Sequence, residues 1–146
     1  MSSDLVLDNS ARGRLARNYA LWILGYGAAA GLVGIILNAS FQWTEQRVLA
    51  WLAVIAFILT TGFASLFVGW QNSPTTIRVT PGTIELDIGG RRKEIDRQQI
   101  RSVKVGGIPR LNPQLVMTVA NKRTVLHFVD SRIVEVLRHA VEGQPL

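Results

Sequence analysis

The sequence predicts a membrane-anchored α+β protein, in which a hairpin of two apolar helices precedes a small domain of antiparallel strands and one helix. Two observations predict this class. The thirty residues from Val48 to Ile77 contain no Asp, Glu, Lys, Arg or His. After Ile77 the apolar residues recur at every second position, which is the period of half-buried strands. The 146-residue chain therefore divides into an apolar first half and a more polar second half.

The first residues form a polar segment. Residues 1–17 include Arg12, Arg14 and Arg17 and show no apolar periodicity. Because a segment without a hydrophobic face has little to bury, we predict a mobile cytoplasmic tail that becomes helical near Arg14.

The next segment predicts a first membrane span at about residues 19–37. No charged residue occurs between Asn18 and Thr44, and the apolar part is 19 residues long. That length exceeds the core of a signal peptide, which is roughly 7 to 15 residues, and suits a retained span. A cleaved signal sequence is the alternative, because the small residues Ala39 and Ser40 follow the apolar run.

The second span covers residues 48–70. At about 1.5 Å per residue, its 23 residues cross the roughly 30 Å hydrocarbon core with length to spare for tilt. The two spans and their ten-residue loop form a hairpin within residues 18–70. Residues 71–76, which include Pro74, form a short linker that ends the second helix.

The distribution of positive charge predicts the orientation. Three Lys or Arg residues precede the first span, one lies between the spans and twelve follow the second. Since Lys and Arg near span ends are retained on the cytoplasmic side, we expect a multi-pass protein of the cytoplasmic (inner) membrane with both termini in the cytoplasm. The same asymmetry accounts for the pI of 10.8, so we do not expect nucleic acid as a partner.

Both spans carry rows of small residues that predict close helix packing. Lipid gives apolar helices no hydrophobic reason to associate, so van der Waals contact between small residues holds them together. The rows either close this hairpin or bind helices of another membrane protein, and both interpretations stand. The residues concerned are Gly27, Gly31 and Gly34 in the first span and, facing them, Ala56, Thr60 and Ala64 in the second.

Residues 77–146 predict a small antiparallel sheet or barrel of about six strands, capped by a C-terminal helix. The pair Gly89–Gly90 predicts a two-residue hairpin turn, which places Asp87 opposite Arg92 and Ile84 opposite Ile95.

Residues typical of turns, strand ends and helix caps predict the bounds of the remaining elements. Gly106 and Gly107 end the fourth strand, and a loop continues to Pro113. A turn at Asn121 and Lys122 joins the last two strands. The helix begins at the capping residue Asp130 and ends at Gly143 and Pro145.

Three stretches of this domain resemble the bacterial pleckstrin-homology-like domains, which often follow one or two transmembrane hairpins. They are residues 78–86, the hairpin from Gly89 to Arg92, and residues 96–103. The resemblance extends from Ile77 to about Val141 and departs from the family pattern after the fourth strand. It implies a pleckstrin-homology-like barrel of non-enzymatic type, which other members use for assembly or protein contact.

We expect no enzyme activity, cofactor or metal. The chain has no cysteine, and neither span carries an ionisable group of the kind that transporters need. Glu135 and His139 stand four residues apart on the last helix, but two ligands do not make a metal site. An enzyme remains the third possibility, and it requires His127 or His139 in a pocket beside a carboxylate.

The densest group of basic residues in the chain predicts contact with lipid or with a partner. With a linker of six residues, the basic side chains lie close to the cytoplasmic leaflet, where each gains about 1 kcal/mol from anionic lipid. A solvated surface is the alternative. The residues are Arg91, Arg92 and Lys93, with Arg97 and Arg101 nearby.

These expectations combine into a function. We expect a non-catalytic accessory or assembly subunit of a larger membrane complex, which binds integral membrane proteins through its small-residue helix faces and a further partner through its cytoplasmic domain. A sensor of the anionic lipid surface is the alternative. The sequence leaves open the partner complex and the association of several copies.

Overall fold

The computed structural model describes residues 4–142. Within that range three helices and seven strands follow one another along the chain. The elements are β1 (Leu5–Asp8), α1 (Arg12–Phe41), α2 (Glu45–Gln71), β2 (Thr76–Val79), β3 (Thr83–Ile88), β4 (Arg91–Asp96), β5 (Ile100–Ile108), β6 (Asn112–Val119), β7 (Lys122–His127) and α3 (Ser131–Glu142). The predicted helix end at Gly143 and Pro145 lies outside the described residues.

The chain forms two compact units. One contains residues 17–67, the greater part of α1 and α2. These helices have 30 and 27 residues and are long and apolar enough to cross a membrane. They contain the two predicted apolar segments. The other unit contains the described residues up to Ala16 together with those from Val68 onward.

The second unit contains a four-stranded antiparallel sheet in the order β1-β2-β3-β4, here called the first sheet. Its inner face has two cross-strand rows of apolar side chains, which fixes the register because a slip of one residue would turn each row to solvent. One row is Leu5, Val79, Ile84 and Ile95, and the other is Leu7, Ile77 and Leu86, which ends beside the exposed Lys93 of β4.

Strand β1 lies in a segment for which the sequence predicts no regular structure. The prediction of a mobile tail over residues 1–17 is wrong for its described part, because residues 5–8 pair with β2 and the helix already begins at Arg12. Leu5 and Leu7 extend the apolar rows of the sheet, whereas Val6 is exposed on the other face. The first sheet therefore combines strands that precede and follow the two long helices.

The β3–β4 hairpin has the predicted register. Asp87 lies opposite Arg92 and Ile84 opposite Ile95. Gly89 and Gly90 have φ values of 59° and 77°, which glycine adopts without steric cost and which match the twist of the flanking strands. This prediction is confirmed.

The other sheet, here called the second sheet, has the order β5-β6-β7. The prediction that Gly106 and Gly107 end the fourth strand is wrong, since β5 continues to Ile108 and pairs with Asn112 at the start of β6. Gly107 has a φ of 73°, and a Cβ there would collide with the Asn112 carbonyl oxygen. Glycine therefore permits the close pairing of this hairpin. The β6–β7 turn comprises Ala120 and Asn121, one residue earlier than predicted.

The core of this unit lies between the sheets and α3. Asp130 caps α3 as predicted, because its carboxylate accepts a hydrogen bond from the Arg132 backbone N–H at 3.0 Å. The apolar face of the helix then joins the strands in a single buried cluster. That cluster includes Ile77, Ile84, Leu86, Leu115, Met117, Leu126, Val134 and Leu137.

The buried side chain of Asn9 joins three connections of this unit. Its Nδ2 donates to the carbonyl oxygens of Pro74 and Phe128, each at 2.9 Å, and its Oδ1 accepts from the Asp130 N–H at 3.3 Å. Its backbone N–H donates to the Thr75 carbonyl at 3.0 Å. Asn9 therefore ties the start of β2 and the start of α3 to the residue that precedes α1.

Two aromatic residues complete this junction. The Arg12 guanidinium lies 3.9 Å from the centroid of the Trp70 ring and donates to the Trp70 carbonyl at 2.9 Å. Phe128 is fully buried with a positive φ of 52°, which is unusual for a bulky side chain. Gly69 packs closely against its ring, because a Cβ there would lie 3.0 Å from Phe128 Cε2 and the ring would have to shift slightly.

Asn9→Ala should lower the free energy of unfolding of this unit by about 2–4 kcal/mol, because it leaves buried backbone groups unpaired at about 1–3 kcal/mol each. Hydrogen exchange followed by mass spectrometry would show faster exchange in β2 and at the start of α3. Asn72→Ala is the matched control, since its amide bonds only to the exposed Val68 carbonyl of its own helix. Equal exchange in the two variants would contradict the role of Asn9.

Candidate interaction surfaces

The helix hairpin closes by placing large side chains of one helix against glycines of the other. A Cβ at Gly27 would lie 2.6 Å from Leu59 Cδ2, and one at Gly34 would collide with the Trp51 indole. The Trp51 Nε1 also donates to the Ala30 carbonyl at 3.0 Å. These contacts use two of the three predicted glycines of α1.

The third glycine, Gly31, has open space at its Cβ position. It lines an apolar cavity of about 240 Å³ between the two helices, near their connecting loop. The Trp43 backbone N–H donates to the Asn38 side chain at 3.1 Å at this end of the hairpin. The other lining residues include Gly34, Ile35, Val48, Trp51, Leu52 and Ile55.

The predicted small row of α2 does not face α1. Ala56, Thr60 and Ala64 are all exposed, and the side of α2 that contacts α1 instead carries Trp51 and Leu59. The expectation that the row faces the glycines is therefore wrong. Large side chains fill the space above a glycine better than small ones do, because they make more dispersion contacts. The row remains unused by the hairpin.

The unit that contains the two sheets has two ends, and each of its turns lies at one of them. At one end, here called the helix end, Thr75 donates to the Asp87 carbonyl at 2.8 Å and His127 donates to the Asn72 carbonyl at 3.4 Å. This end holds the β3–β4 turn, the β5–β6 turn and the last turn of α2. At the far end, Arg97 donates to the Gly82 carbonyl at 2.9 Å and Ala120 donates to the Gln99 carbonyl at 3.0 Å.

The five predicted basic residues do not form one patch. Arg91, Arg92 and Lys93 are exposed on β4, and the turn before Arg91 lies at the helix end. Arg97 and Arg101 lie at the far end, beside the first residues of β5. The spacing of these residues in sequence gave no information about which end of the sheets each one occupies.

Acidic neighbours offset much of the charge on β4. Arg92 lies opposite Asp87, and it lines a shallow cleft with Arg78, Glu85 and Asp87. The four strands of the first sheet carry four Lys or Arg residues and five Asp or Glu residues. This sheet is therefore close to neutral.

The second sheet has a single sign of charge. Residues 97–129 contain six Lys or Arg residues and no Asp or Glu. The positive charge of the unit is thus concentrated in the second sheet and the segments next to it, whereas the sequence predicted its centre at Arg91, Arg92 and Lys93. The six residues are Arg97, Arg101, Lys104, Arg110, Lys122 and Arg123.

His127 lies in a half-buried polar setting at the helix end. Its Nδ1 is 3.3 Å from side-chain amide atoms of both Asn112 and Gln114. These partners are amides, whereas the enzyme hypothesis asks for a carboxylate. His139 is half-buried on α3, four residues after the exposed Glu135. Among residues 4–142, no group of three His, Asp or Glu residues is arranged to hold a metal ion.

Comparison with protein-family models, with curated proteins and with solved structures finds no match for this chain.

Gly34→Leu should destabilise the hairpin by about 1–3 kcal/mol, because the new side chain collides with Trp51. Unfolding of the detergent-solubilised chain in increasing fractions of SDS, followed by tryptophan fluorescence, would show an earlier transition. Gly25→Leu is the matched control: it makes the same gain in helix propensity, but its Cβ meets nothing within 4 Å. Similar transitions for both variants would contradict the packing described here.

Burial lowers the pKa of His127 below its ordinary value of about 6.5. The folded protein then binds this proton less tightly than the unfolded chain does, so stability from the neutral ring is present above pH 6.5 and declines as the pH falls. Thermal unfolding should give a lower Tm at pH 5 than at pH 7.5. His127→Gln should reduce this difference, and an unchanged difference would contradict the assignment.

Proposed function

We propose that this chain is a non-catalytic accessory or assembly subunit of a larger membrane protein complex. The observation that carries the proposal is the exposed row of Ala56, Thr60 and Ala64 on α2. Because the hairpin closes through Trp51 and Leu59, it leaves this row unoccupied. Small residues four apart allow another helix to approach closely, which is how helices associate in lipid.

Membrane insertion of both long helices is part of this proposal. Their length and apolar composition support it. With twelve Lys or Arg residues after the second span and one between the spans, the proposed orientation has both termini in the cytoplasm of a cell with an inner membrane. The partners are integral membrane proteins, and further copies of this chain are among the candidates.

The cytoplasmic part is proposed to be a pleckstrin-homology-like domain that contacts a cytoplasmic partner. The six strands expected after the second span are present in the expected order, and α3 follows them. These features support the resemblance stated for residues 77–141. Strand β1 adds a further strand, from before α1, to this domain.

Purification in mild detergent from native membranes tests the subunit proposal. The chain should co-purify with another membrane protein in constant ratio, and the double variant Thr60→Leu with Ala64→Leu should lose that partner at least tenfold. Ala29→Leu, a similar change at an exposed position of α1, should retain it. A chain that elutes alone, as wild type, would overturn the proposal.

The alternative function is recognition of anionic lipid. The observation that favours it is the second sheet with its connections, residues 97–129, which have six basic residues and no acidic one. In this case liposome binding should fall when Arg91, Arg92 and Lys93 are changed to Glu, and fall further when Arg101, Lys104 and Arg123 are changed. Binding that is unaffected by both sets would exclude this alternative.

A further inference from the structure

The β5–β6 hairpin ends in an exposed apolar tip, residues 105–111. Val105 is 52% exposed and Ile108 is 51% exposed, although both lie in a strand. Pro109 and Arg110 follow them, also exposed, and Leu111 is half-buried. Arg110 is the one charged side chain of the tip. A tip of this composition exposes apolar surface without an acidic residue beside it.

The tip lies at the helix end of the sheets. The first residues of β6 adjoin the last residue of β7, since Asn112 contacts the His127 ring at 3.3 Å and Gln114 pairs with His127. His127 in turn donates to the carbonyl of Asn72, which directly follows α2. Val129 donates to the Pro113 carbonyl at 3.2 Å. Hydrogen bonds therefore hold the base of the tip beside the end of α2.

The opposite turn of the same sheet has a different composition. The β6–β7 turn, Ala120 and Asn121, lies at the far end and is followed by Lys122 and Arg123. It exposes no large apolar side chain. The two turns of one sheet thus differ in the way expected if only the helix end meets an apolar surface, because exposed apolar groups with a basic neighbour suit the boundary between headgroups and acyl chains.

We propose that residues 105–111 insert Val105 and Ile108 into the headgroup layer of an anionic membrane, with Arg110 paired to lipid phosphates. The inference rests on the proposed membrane insertion of α1 and α2, which brings the helix end of the sheets to the bilayer surface. Lys104, which is exposed directly before the tip, and Arg110 within it supply the complementary charge for anionic lipid, whereas Arg101 and Arg123 lie toward the far end. In this proposal the tip is a third point of membrane attachment, in addition to α1 and α2.

Site-directed spin labelling of the full chain in lipid nanodiscs tests this inference. Because the chain has no cysteine, single variants Ile108→Cys, Val105→Cys and Asn121→Cys each carry one label. In nanodiscs of phosphatidylcholine with one quarter phosphatidylglycerol, the labels at 105 and 108 should collide more with oxygen than with a water-soluble nickel complex. The label at 121 should show the reverse. Arg110→Glu or removal of phosphatidylglycerol should make the label at 108 at least twofold more accessible to nickel.

An Ala28→Cys label, at the middle of the first span and on the exposed side of α1, distinguishes failure of this inference from failure of membrane insertion. A lipid-exposed label at 28 together with water-exposed labels at 105 and 108 would overturn the inference alone. A water-exposed label at 28 would overturn membrane insertion of α1, and the proposed function with it. Labels at 105 and 108 that are shielded from both reagents would overturn the inference and indicate contact with a second copy of the chain. Insertion that does not depend on phosphatidylglycerol would exclude anionic lipid as the ligand.

Discussion

The arrangement of the sheets and helices depends on the need of buried polar groups for hydrogen-bond partners. The backbone changes direction where α2 leads into β2 and where β7 leads into α3, and each change leaves a carbonyl group inside the protein. The Asn9 amide donates to both carbonyls and accepts from Asp130. An apolar residue of the same size would remove all three of these hydrogen bonds. One amide therefore holds three distant parts of the sequence at a common point.

The position of Asn9 follows from the pairing of β1 with β2. These strands are neighbours in the sheet, although the two long helices separate them in the sequence. Their antiparallel pairing brings the start of α1 close to the end of α2, where Arg12 covers the ring and carbonyl of Trp70.

Packing within the hairpin decides which surfaces remain for partners. Glycines of α1 receive Trp51 and Leu59, so the small residues on the exposed side of α2 play no part in hairpin closure. In the unit that contains the sheets, the two sheets differ in their charge. The first sheet pairs basic with acidic residues across its strands, whereas the second sheet is uniformly basic. Each unit thus has one surface that serves its own structure and another that plays no part in it.

The sequence by itself determined what depends on neighbouring residues. The two apolar helices, the six strands after them, the Gly89–Gly90 hairpin and the Asp130 cap all follow from local periodicity, turn residues and capping. Tertiary structure alone decided the features that depend on residues far apart. Strand β1 begins with three consecutive apolar residues and so shows no alternation, and only pairing with β2 makes it a strand. Likewise, the side of α2 that packs on α1 and the end of the sheets that carries each basic residue are set by contacts across the chain, which adjacent letters do not encode.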